Sequence, residues 1–228
     1  MWLKELIKKI IYKERYSSET FVEFLKSGGA KIGNNVIILD PRKTVIDYGN
    51  RMLIEIGDNV LVTAGCTILA HDYSYSVSRY AYGKMPQVTK RTKIGNNVFL
   101  GMNSIVLMGA EIGNNVIIGA GSVVHGVIES DSIYAGNPAR KISSLEDYTN
   151  KNLEKQIDSA VLWANSFIEA YGRIPTIVEM GFYKWMFFEK TDENMRKYYL
   201  GDPFFEYYLK MPKMFNSVDE LIENITSV

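Results

Sequence analysis

The sequence predicts a solenoid core of short strands wound into triangular coils, with helical segments before and after it. A repeat of six residues is the first sign, because Ile-Gly-Asn-Asn-Val-Ile occurs at 32–37 and again at 112–117, with close copies at 56–61 and 94–99. Composition is the second sign, since residues 28–144 hold 15 of the 18 glycines but only seven of the 28 aromatic residues. Apolar residues also keep the six-residue spacing through the middle of the chain: Val88, Ile94, Leu100, Val106, Ile112, Ile118 and Val124.

The chemistry of one hexad explains why the chain would coil. The first, aliphatic position points inward, and a small residue at the second position lets the next coil approach. Asn-Asn or Asp-Asn then turns the chain, because these residues tolerate left-handed backbone angles. Three hexads, about 18 residues, close one triangular coil, and stacked coils bury a continuous core. A helix would repeat at about 3.6 residues and a strand at about two, and neither spacing fits.

One interruption of the repeat predicts a loop. The separation of Ile56 and Ile94 in the sequence is not a multiple of six. Leaving out segment 74–87 restores the phase, so this segment is predicted to leave the coil directly after Ala70-His71-Asp72-Tyr73. A smaller excursion is expected around residues 48–50.

Helical patterns flank the repeat. Residues 2–14 place apolar residues on one face with lysines opposite. That face is expected to cap the open end of the coils, with contact to a membrane surface as the less favoured alternative. Ser143-x-x-Glu146 is typical of a capping box that begins a helix ending near Gly172. The chain is therefore predicted to have three parts: an N-terminal helical segment at 1–29, a β-helical domain at 30–142 and an α-helical extension at 143–228.

Composition excludes several classes of function. Twenty-six Lys and Arg balance 26 Asp and Glu, so there is no net basic field to hold a nucleic acid. No apolar run approaches the ~18 residues of a membrane span, and the charged N-terminus is not typical of a secretory signal. The single cysteine, Cys66, excludes an internal disulfide and predicts a reducing, cytoplasmic location. Because Cys66 falls at the small, inward fifth position of a hexad, it is expected to be a core residue rather than a nucleophile.

The hexads, a single histidine beside the extruded loop and the closing phrase Ile-Tyr-Ala-Gly-Asn-Pro-Ala-Arg-Lys-Ile at 133–142 together resemble the hexapeptide-repeat O-acetyltransferases. The similarity is greatest to the maltose, galactoside and nodulation-type sugar enzymes and to the capsule and exopolysaccharide enzymes. It covers roughly residues 30–142, and the phrase at 170–176 is similar to tails of polysaccharide-locus members. The resemblance implies a left-handed parallel β-helix that forms homotrimers and binds acetyl-CoA between adjacent subunits.

The same resemblance implies that His71 is the catalytic residue, because the family's histidine lies just before the long loop. An imidazole titrates near neutral pH and can take a proton from a sugar hydroxyl as it attacks a thioester. The structural alternative is a surface histidine at the base of a loop. A γ-type carbonic anhydrase needs three histidine ligands, and the chain has two histidines, so no metal site is expected.

The resemblance assigns a further group of residues to acetyl-CoA: Gly101, Met102, Ala120, His125, Arg140 and Lys141. A backbone N–H at 101–102 would face the thioester carbonyl and stabilise an oxyanion. Arg140 suits a phosphate oxygen, with a solvated charge at the last coil as its alternative. His125 stands where the family more often has Thr-Lys, so it is either a contact at the cofactor's edge or a solvated coil corner.

Acceptor-binding candidates lie around His71. Asp72 could orient the imidazole or bind a hydroxyl, and Asp47 lies in the irregular coil before it. Tyr82 on the loop could stack on a sugar, although loop aromatics also simply pack. The function expected is acetyl transfer from acetyl-CoA to a carbohydrate hydroxyl in the synthesis of bacterial surface polysaccharide. The alternatives are N-acetylation of an amino-sugar nucleotide, acyl transfer from acyl carrier protein, and a non-catalytic scaffold.

Overall fold

A computed structural model describes residues 2–189, 191–199 and 205–223. The chain divides into two compact units, residues 1–149 and 150–228. The predicted three-part division at 29/30 and 142/143 stays a prediction.

Three parallel sheets form the walls of the first unit, and we call them faces A, B and C. Face A contains β1 (Lys31–Ile32), β4 (Ile54–Ile56), β9 (Thr92–Ile94), β12 (Glu111–Ile112) and β15 (Val127–Ile128). Face B contains β2 (Ile37–Ile38), β5 (Val60–Val62), β10 (Val98–Leu100), β13 (Val116–Ile118) and β16 (Ser132–Ala135), with β17 (Arg140–Ser144) added antiparallel. Face C contains β3 (Val45–Ile46), β6 (Thr67–Ile68), β11 (Ile105–Val106) and β14 (Val123–Val124).

The strand register confirms the predicted coil. Ile94 pairs with Ile112 on face A and Val98 with Val116 on face B, so one regular coil advances by three hexads. The aliphatic residues of the first hexad position are buried from Ile94 onward, among them Leu100, Val106 and Ile118 at 0% exposure. Val88, which the spacing also assigns to the coil, is instead 42% exposed and lies outside the three faces. These observations are those of the left-handed parallel β-helix that the sequence predicts.

The corner between faces A and B, which we call the AB corner, is built from asparagine. The fourth hexad position has a positive φ of 53° to 57° in Asn35, Asn59, Asn97, Asn115 and Asp131. Their side chains form a ladder, in which the Asn97 amide donates to Asn115 Oδ1 at 2.8 Å and the Asn115 amide donates to Asp131 Oδ1 at 2.8 Å. The position before it also binds across coils, since Asn114 Oδ1 accepts the Asn96 N–H at 2.8 Å. Each coil therefore satisfies the polar groups of its neighbour.

Cys66 lies in the core as predicted. It has 0% exposure, and its Sγ lies 3.4 Å from Ser104 Oγ in the coil above.

Two helices make up the N-terminal segment, α1 (Trp2–Tyr12) and α2 (Ser18–Ser27), joined by a 3-10 turn at Lys13–Arg15. A capping box between Ser17 and Thr20 begins α2. Phe21 and Leu25 of α2 are fully buried in the same apolar cluster as the coils, and Ser18 Oγ accepts the N–H of Ile38 in the first coil at 2.8 Å. Hence α2 packs on the end of the core, whereas residues 7–12, the part of α1 whose side chains the structure describes, are exposed.

The predicted loop is present and is longer than the spacing suggests. Ile56 pairs with Ile94, and the chain between them exceeds a regular coil by more than three hexads, so the excursion extends beyond segment 74–87. The difference arises because β7 (His71–Asp72) and β8 (Val88–Thr89) form an antiparallel stem outside the coil. Beyond the stem lies α3 (Tyr75–Tyr82), which ends at Gly83 with φ 63°.

The second unit is helical. Helix α4 (Leu145–Tyr171) begins one residue later than its predicted capping box requires, because Ser143 belongs to β17 and Ser144 Oγ accepts the Asp147 N–H at 3.0 Å. It ends before Gly172, as predicted. A 3-10 segment (Val178–Phe187) and three short helices follow: α5 (Asp192–Tyr199), α6 (Phe205–Tyr208) and α7 (Val218–Glu223). Among the described residues, no helix combines the length and the apolar character needed to cross a bilayer.

Candidate functional site

The corner between faces C and A, which we call the CA corner, holds the main candidate residues. His71 lies on the stem that leaves this corner, and Asp47 lies in the turn that follows β3 one coil earlier. The register joins them: Ile46 pairs with Ile68, and the Asp47 N–H donates to the Ile68 carbonyl at 3.0 Å. Two residues from successive coils, far apart in the sequence, therefore become neighbours.

His71 and Asp47 form a hydrogen-bonded pair. Nδ1 of His71 contacts Oδ2 of Asp47 in a short hydrogen bond. Because an ionised carboxylate only accepts, the shared proton belongs on Nδ1, and the lone pair of a neutral ring lies on Nε2. The Asp47 side chain is 1% exposed and the His71 side chain 19% exposed. The Asp47 carboxylate is thus buried, while the His71 ring remains partly accessible to solvent.

Hydrogen bonds keep Asp47 ionised despite its burial. Burial acts to raise the pKa of Asp47, but the hydrogen bonds from His71, Ala70 and Asn50 outweigh it and hold the pKa below its usual value. Oδ2 also accepts the Ala70 N–H at 2.9 Å, and Oδ1 accepts the Asn50 N–H at 3.0 Å and the Asn50 side-chain amide at 3.2 Å. With both oxygens engaged by the chain, Asp47 is in position to orient His71, which is a different role from the acceptor contact expected of it.

Arg15 braces the turn that carries Asp47. Its Nε donates to the Tyr48 hydroxyl at 2.6 Å, and its Nη1 donates to the carbonyls of Thr44, at 2.9 Å, and Pro41. The guanidinium also lies over the rings of Phe21, at 4.9 Å, and Tyr48, at 5.1 Å. The N-terminal segment is therefore connected to the candidate site through Arg15, and the rings of Phe21 and Phe24 also contact Tyr48. Sequence reasoning missed this connection because no spacing relates position 15 to position 48.

Asp72 serves the loop rather than the imidazole. Its Oδ1 accepts the Ser74 N–H at 2.7 Å and its Oδ2 accepts the Ser74 hydroxyl at 2.6 Å, and these bonds lower the pKa of Asp72. The hydrogen bond to Nδ1 of His71, expected as one possibility for Asp72, is made by Asp47.

Tyr73, at the base of the loop, places an aromatic ring against His71. The Tyr73 ring meets the imidazole edge-on, with 4.3 Å between the centroids. Tyr82, at the end of α3, is 78% exposed and has no ring contact within the described chain. Position 73 carried no signal in the sequence beyond its place at the start of the loop.

Gly101, Met102 and Ala120 lie at another corner, between faces B and C, which we call the BC corner. The Gly101 N–H donates to the Ile118 carbonyl at 2.8 Å, so it cannot stabilise an oxyanion, and that expectation is corrected. Met102 is exposed, and its N–H makes no hydrogen bond to the residues that the structure describes. The Asn103 N–H donates to the Ala64 carbonyl at 3.1 Å. This corner therefore lies directly beside residue 64, in the preceding coil, which continues to His71.

The remaining candidates are spread over the last coil. His125 is exposed at the CA corner, and Arg140 and Lys141 lie exposed on β17. Lys141 is paired with Glu129 at 2.7 Å, whereas the Arg140 guanidinium donates to the Ala139 carbonyl at 3.1 Å. The structure brings His71 and Asp47 together and does not bring the BC-corner residues to them within one chain. Among the described residues, no group of three or more His, Cys, Asp or Glu is arranged to hold a metal ion.

Comparison with known proteins identifies the family. The family described as bacterial transferase hexapeptide (six repeats) matches residues 91–126. Protein CapG of Staphylococcus aureus is 40% identical over 153 residues, which is 67% of this chain and 84% of CapG. The chain belongs to the bacterial hexapeptide-repeat transferases.

Two other similar proteins are more distant. The putative acetyltransferase YvoF of Bacillus subtilis is 31% identical over 104 residues, 46% of this chain and 52% of YvoF. The crystal structure of a hexapeptide-repeat-containing acetyltransferase from Vibrio cholerae is similar over 62% of this chain and 89% of that chain, with a TM-score of 0.46 and 20% identity.

Proposed function

We propose that this transferase moves an acetyl group from acetyl-CoA to a carbohydrate hydroxyl, as an enzyme of bacterial surface polysaccharide synthesis. The observation that supports it most is the His71–Asp47 pair at the base of the loop. The name of YvoF, a putative acetyltransferase, agrees with the choice of acyl group. The carbohydrate acceptor comes from the resemblance to sugar O-acetyltransferases.

The chemistry needs one base and no covalent enzyme intermediate. Nε2 of His71 takes the proton of the acceptor hydroxyl while the hydroxyl oxygen attacks the thioester carbonyl carbon. The buried carboxylate of Asp47 stabilises the imidazolium that forms. When the tetrahedral intermediate collapses, the C–S bond breaks and the proton on Nε2 passes to the leaving thiolate of CoA.

The oxyanion of that intermediate needs donors, and we assign the Met102 N–H as one of them. Met102 and His71 lie at opposite ends of face C. The BC corner that carries Met102 lies beside residue 64, which precedes His71 by seven positions. Met102 and His71 are therefore on the order of 15–20 Å apart in one chain. A shared thioester therefore requires the BC corner of a second copy beside the CA corner of the first.

The outward side chains of the faces favour a homotrimer that provides this contact. Face A carries a row of charges: Lys31, Glu55, Lys93 and Glu111. Faces B and C carry mainly apolar outward residues: Ile37, Leu61, Phe99 and Ile117 on face B, and Val45, Thr67, Ile105 and Val123 on face C. Packing face B of one copy against face C of the next would bury apolar surface and leave the charged face in water.

The test is consumption of acetyl-CoA with a panel of sugars, oligosaccharides and sugar nucleotides. His71→Ala is expected to lower kcat by ~10²–10⁴ and to leave the affinity for CoA nearly unchanged. His125→Ala, the change of the other histidine, is expected to raise KM for acetyl-CoA and to spare kcat. Near-normal turnover by a folded His71→Ala protein would remove His71 from the mechanism. No thioester consumption by the wild type with any acceptor would favour a scaffold, and light scattering that gives a stable monomer would reject the shared site.

A further inference from the structure

Helix α1 presents an apolar stripe that nothing in the described chain covers. All its described side chains are exposed, and the apolar ones include Ile7 at 45%, Ile10 at 66% and Ile11 at 64%. The spacing in the sequence continues this stripe toward the N-terminus. An amphipathic helix of 11 residues gains little stability alone in water, so its apolar face needs a partner.

The role expected of this stripe is filled by another element. The sequence predicts that the N-terminal apolar face caps the open end of the coils. In the structure α2 performs that task with Phe21 and Leu25, both at 0% exposure. The base of α1 is held to the body of the unit, because the Arg42 guanidinium lies 5.1 Å from the ring of Tyr12.

The charge around the stripe indicates the kind of partner. Residues 2–13 contain four lysines and one glutamate, although the whole chain has a formal net charge of zero. Positive charge is therefore concentrated on the helix that exposes isoleucine. A basic amphipathic helix matches the surface of an anionic bilayer, where the apolar face enters the acyl boundary and the lysines meet the headgroups.

We propose that α1 binds the interface of a bilayer containing anionic lipid and holds the transferase on that surface. The helix lies flat, since its 11 residues extend only about 16 Å. Ile7, Ile10 and Ile11 enter the acyl boundary. The lysines make the binding depend on ionic strength. The inference does not rest on the proposed acetyl transfer, so either can fail alone.

Vesicle flotation of the full chain tests the proposal. The wild type is expected to float with vesicles of phosphatidylglycerol and phosphatidylcholine, to stay behind with phosphatidylcholine alone, and to be released by salt. The double change Ile10→Asn with Ile11→Asn, and separately Lys8→Gln with Lys9→Gln, should each reduce the bound fraction about tenfold or more. Val127→Asn, which alters an equally exposed apolar residue on face A, is the matched control and should float like the wild type.

Other outcomes would overturn the proposal. Failure of the wild type to float with either vesicle would do so, as would equal flotation with phosphatidylcholine alone or undiminished flotation of the isoleucine variant. If the wild type does not float and the isoleucine variant has a smaller mass by light scattering, the stripe is covered by a second copy of the chain. Urea midpoints equal to that of the wild type would show that the variants are folded, because the changed residues lie outside the buried core.

Discussion

The AB and CA corners belong to the same coils, yet the number of residues is constant at the AB corner and varies at the CA corner. From face A to face B the chain always advances by the same step, as from Ile94 to Phe99. From face C to face A the step differs in every successive coil: Ile46 to Ile56, Ile68 to Ile94, Val106 to Ile112 and Val124 to Ile128. At the AB corner, polar groups form hydrogen bonds with the equivalent residues of neighbouring coils. The CA corner instead carries His71, Asp47 and the loop. In this chain the break in the repeat and the candidate site lie at the same corner.

The largest effect is expected from removing the insertion at the CA corner. Replacement of residues 74–87 by a short Gly-Ser link should abolish transfer to the acceptor and leave CoA binding intact, because the coil closes without this segment. Calorimetry of CoA binding together with an acceptor assay measures both quantities. Full acceptor activity without the loop, or lost CoA affinity in an intact oligomer, would contradict the assignment.

Asp47→Asn should lower kcat by ~10²–10⁴ with little change in KM for acetyl-CoA, because an amide no longer fixes the proton on Nδ1 of His71. Asp72→Asn is the matched control at the same corner, and it should change kcat by only a few fold, since Asp72 binds Ser74. Steady-state kinetics of both variants decide the matter. Equal losses of kcat in the two variants would mean that the hydrogen bond from Asp47 to Nδ1 of His71 has no special role in turnover.

Arg15→Met should reduce kcat about tenfold by loosening the turn that holds Asp47. Arg51→Met is the control, because Arg51 also contacts the N-terminal segment, donating to the Phe24 carbonyl at 2.9 Å and lying over its ring. Both changes should lower stability, and Arg15→Met alone should lower kcat. In a double-mutant cycle the Arg15 effect should vanish in the Asp47→Asn background, and an additive loss would argue for a purely structural role.

Stability should depend on pH through Asp47. Its pKa is lowered in the folded protein, so the stabilisation is complete above the unfolded value of about 3.9 and is lost as pH falls through the lowered folded value. Urea unfolding from neutral to acidic pH should therefore show a gap between wild type and Asp47→Asn that narrows below about pH 4. A gap that stays constant over this range would be inconsistent with an ionised, hydrogen-bonded Asp47.

The smallest effect on activity is expected at the AB corner. Asn115→Ala should leave kcat unchanged and lower the free energy of unfolding by about 1–3 kcal/mol, since it removes two ladder bonds and places alanine at a positive φ. Glycine adopts a positive φ readily, so Asn115→Gly measures only the free energy of unfolding lost with the side-chain amide. Denaturant unfolding and turnover of both variants give the result. A loss of turnover in either variant would break the contrast between the two corners.

Prediction from sequence succeeded where the repeat is regular. The six-residue spacing was enough for the coils and the burial of Cys66, because each hexad meets an equivalent hexad above it. The break in this spacing located the loop after His71 but underestimated its extent. The turns at the AB corner were also predicted correctly, because asparagine tolerates the left-handed backbone conformation that each of them adopts.

Prediction failed where contacts join unlike segments. The pairing of Asp47 with His71 depends on the length of an irregular coil, and the bond from Arg15 to Tyr48 depends on how the N-terminal cap sits on it. The engaged N–H of Gly101 is a different case, because this bond to Ile118 follows from the regular register and the resemblance alone suggested a free N–H there.

The close approach of the coils at Gly33 and Gly95 has a consequence for how such genes can change. A Cβ at Gly33 would lie 2.8 Å from the carbonyl carbon of Gly57, and one at Gly95 would lie 2.5 Å from the Gly113 oxygen. Loss or gain of a single codon at this corner would force a side chain into that space, so the corner should accept length changes only as whole coils. The CA corner has no such limit. Descendants of one ancestral gene can therefore lengthen this single corner while the stack beneath it is inherited intact.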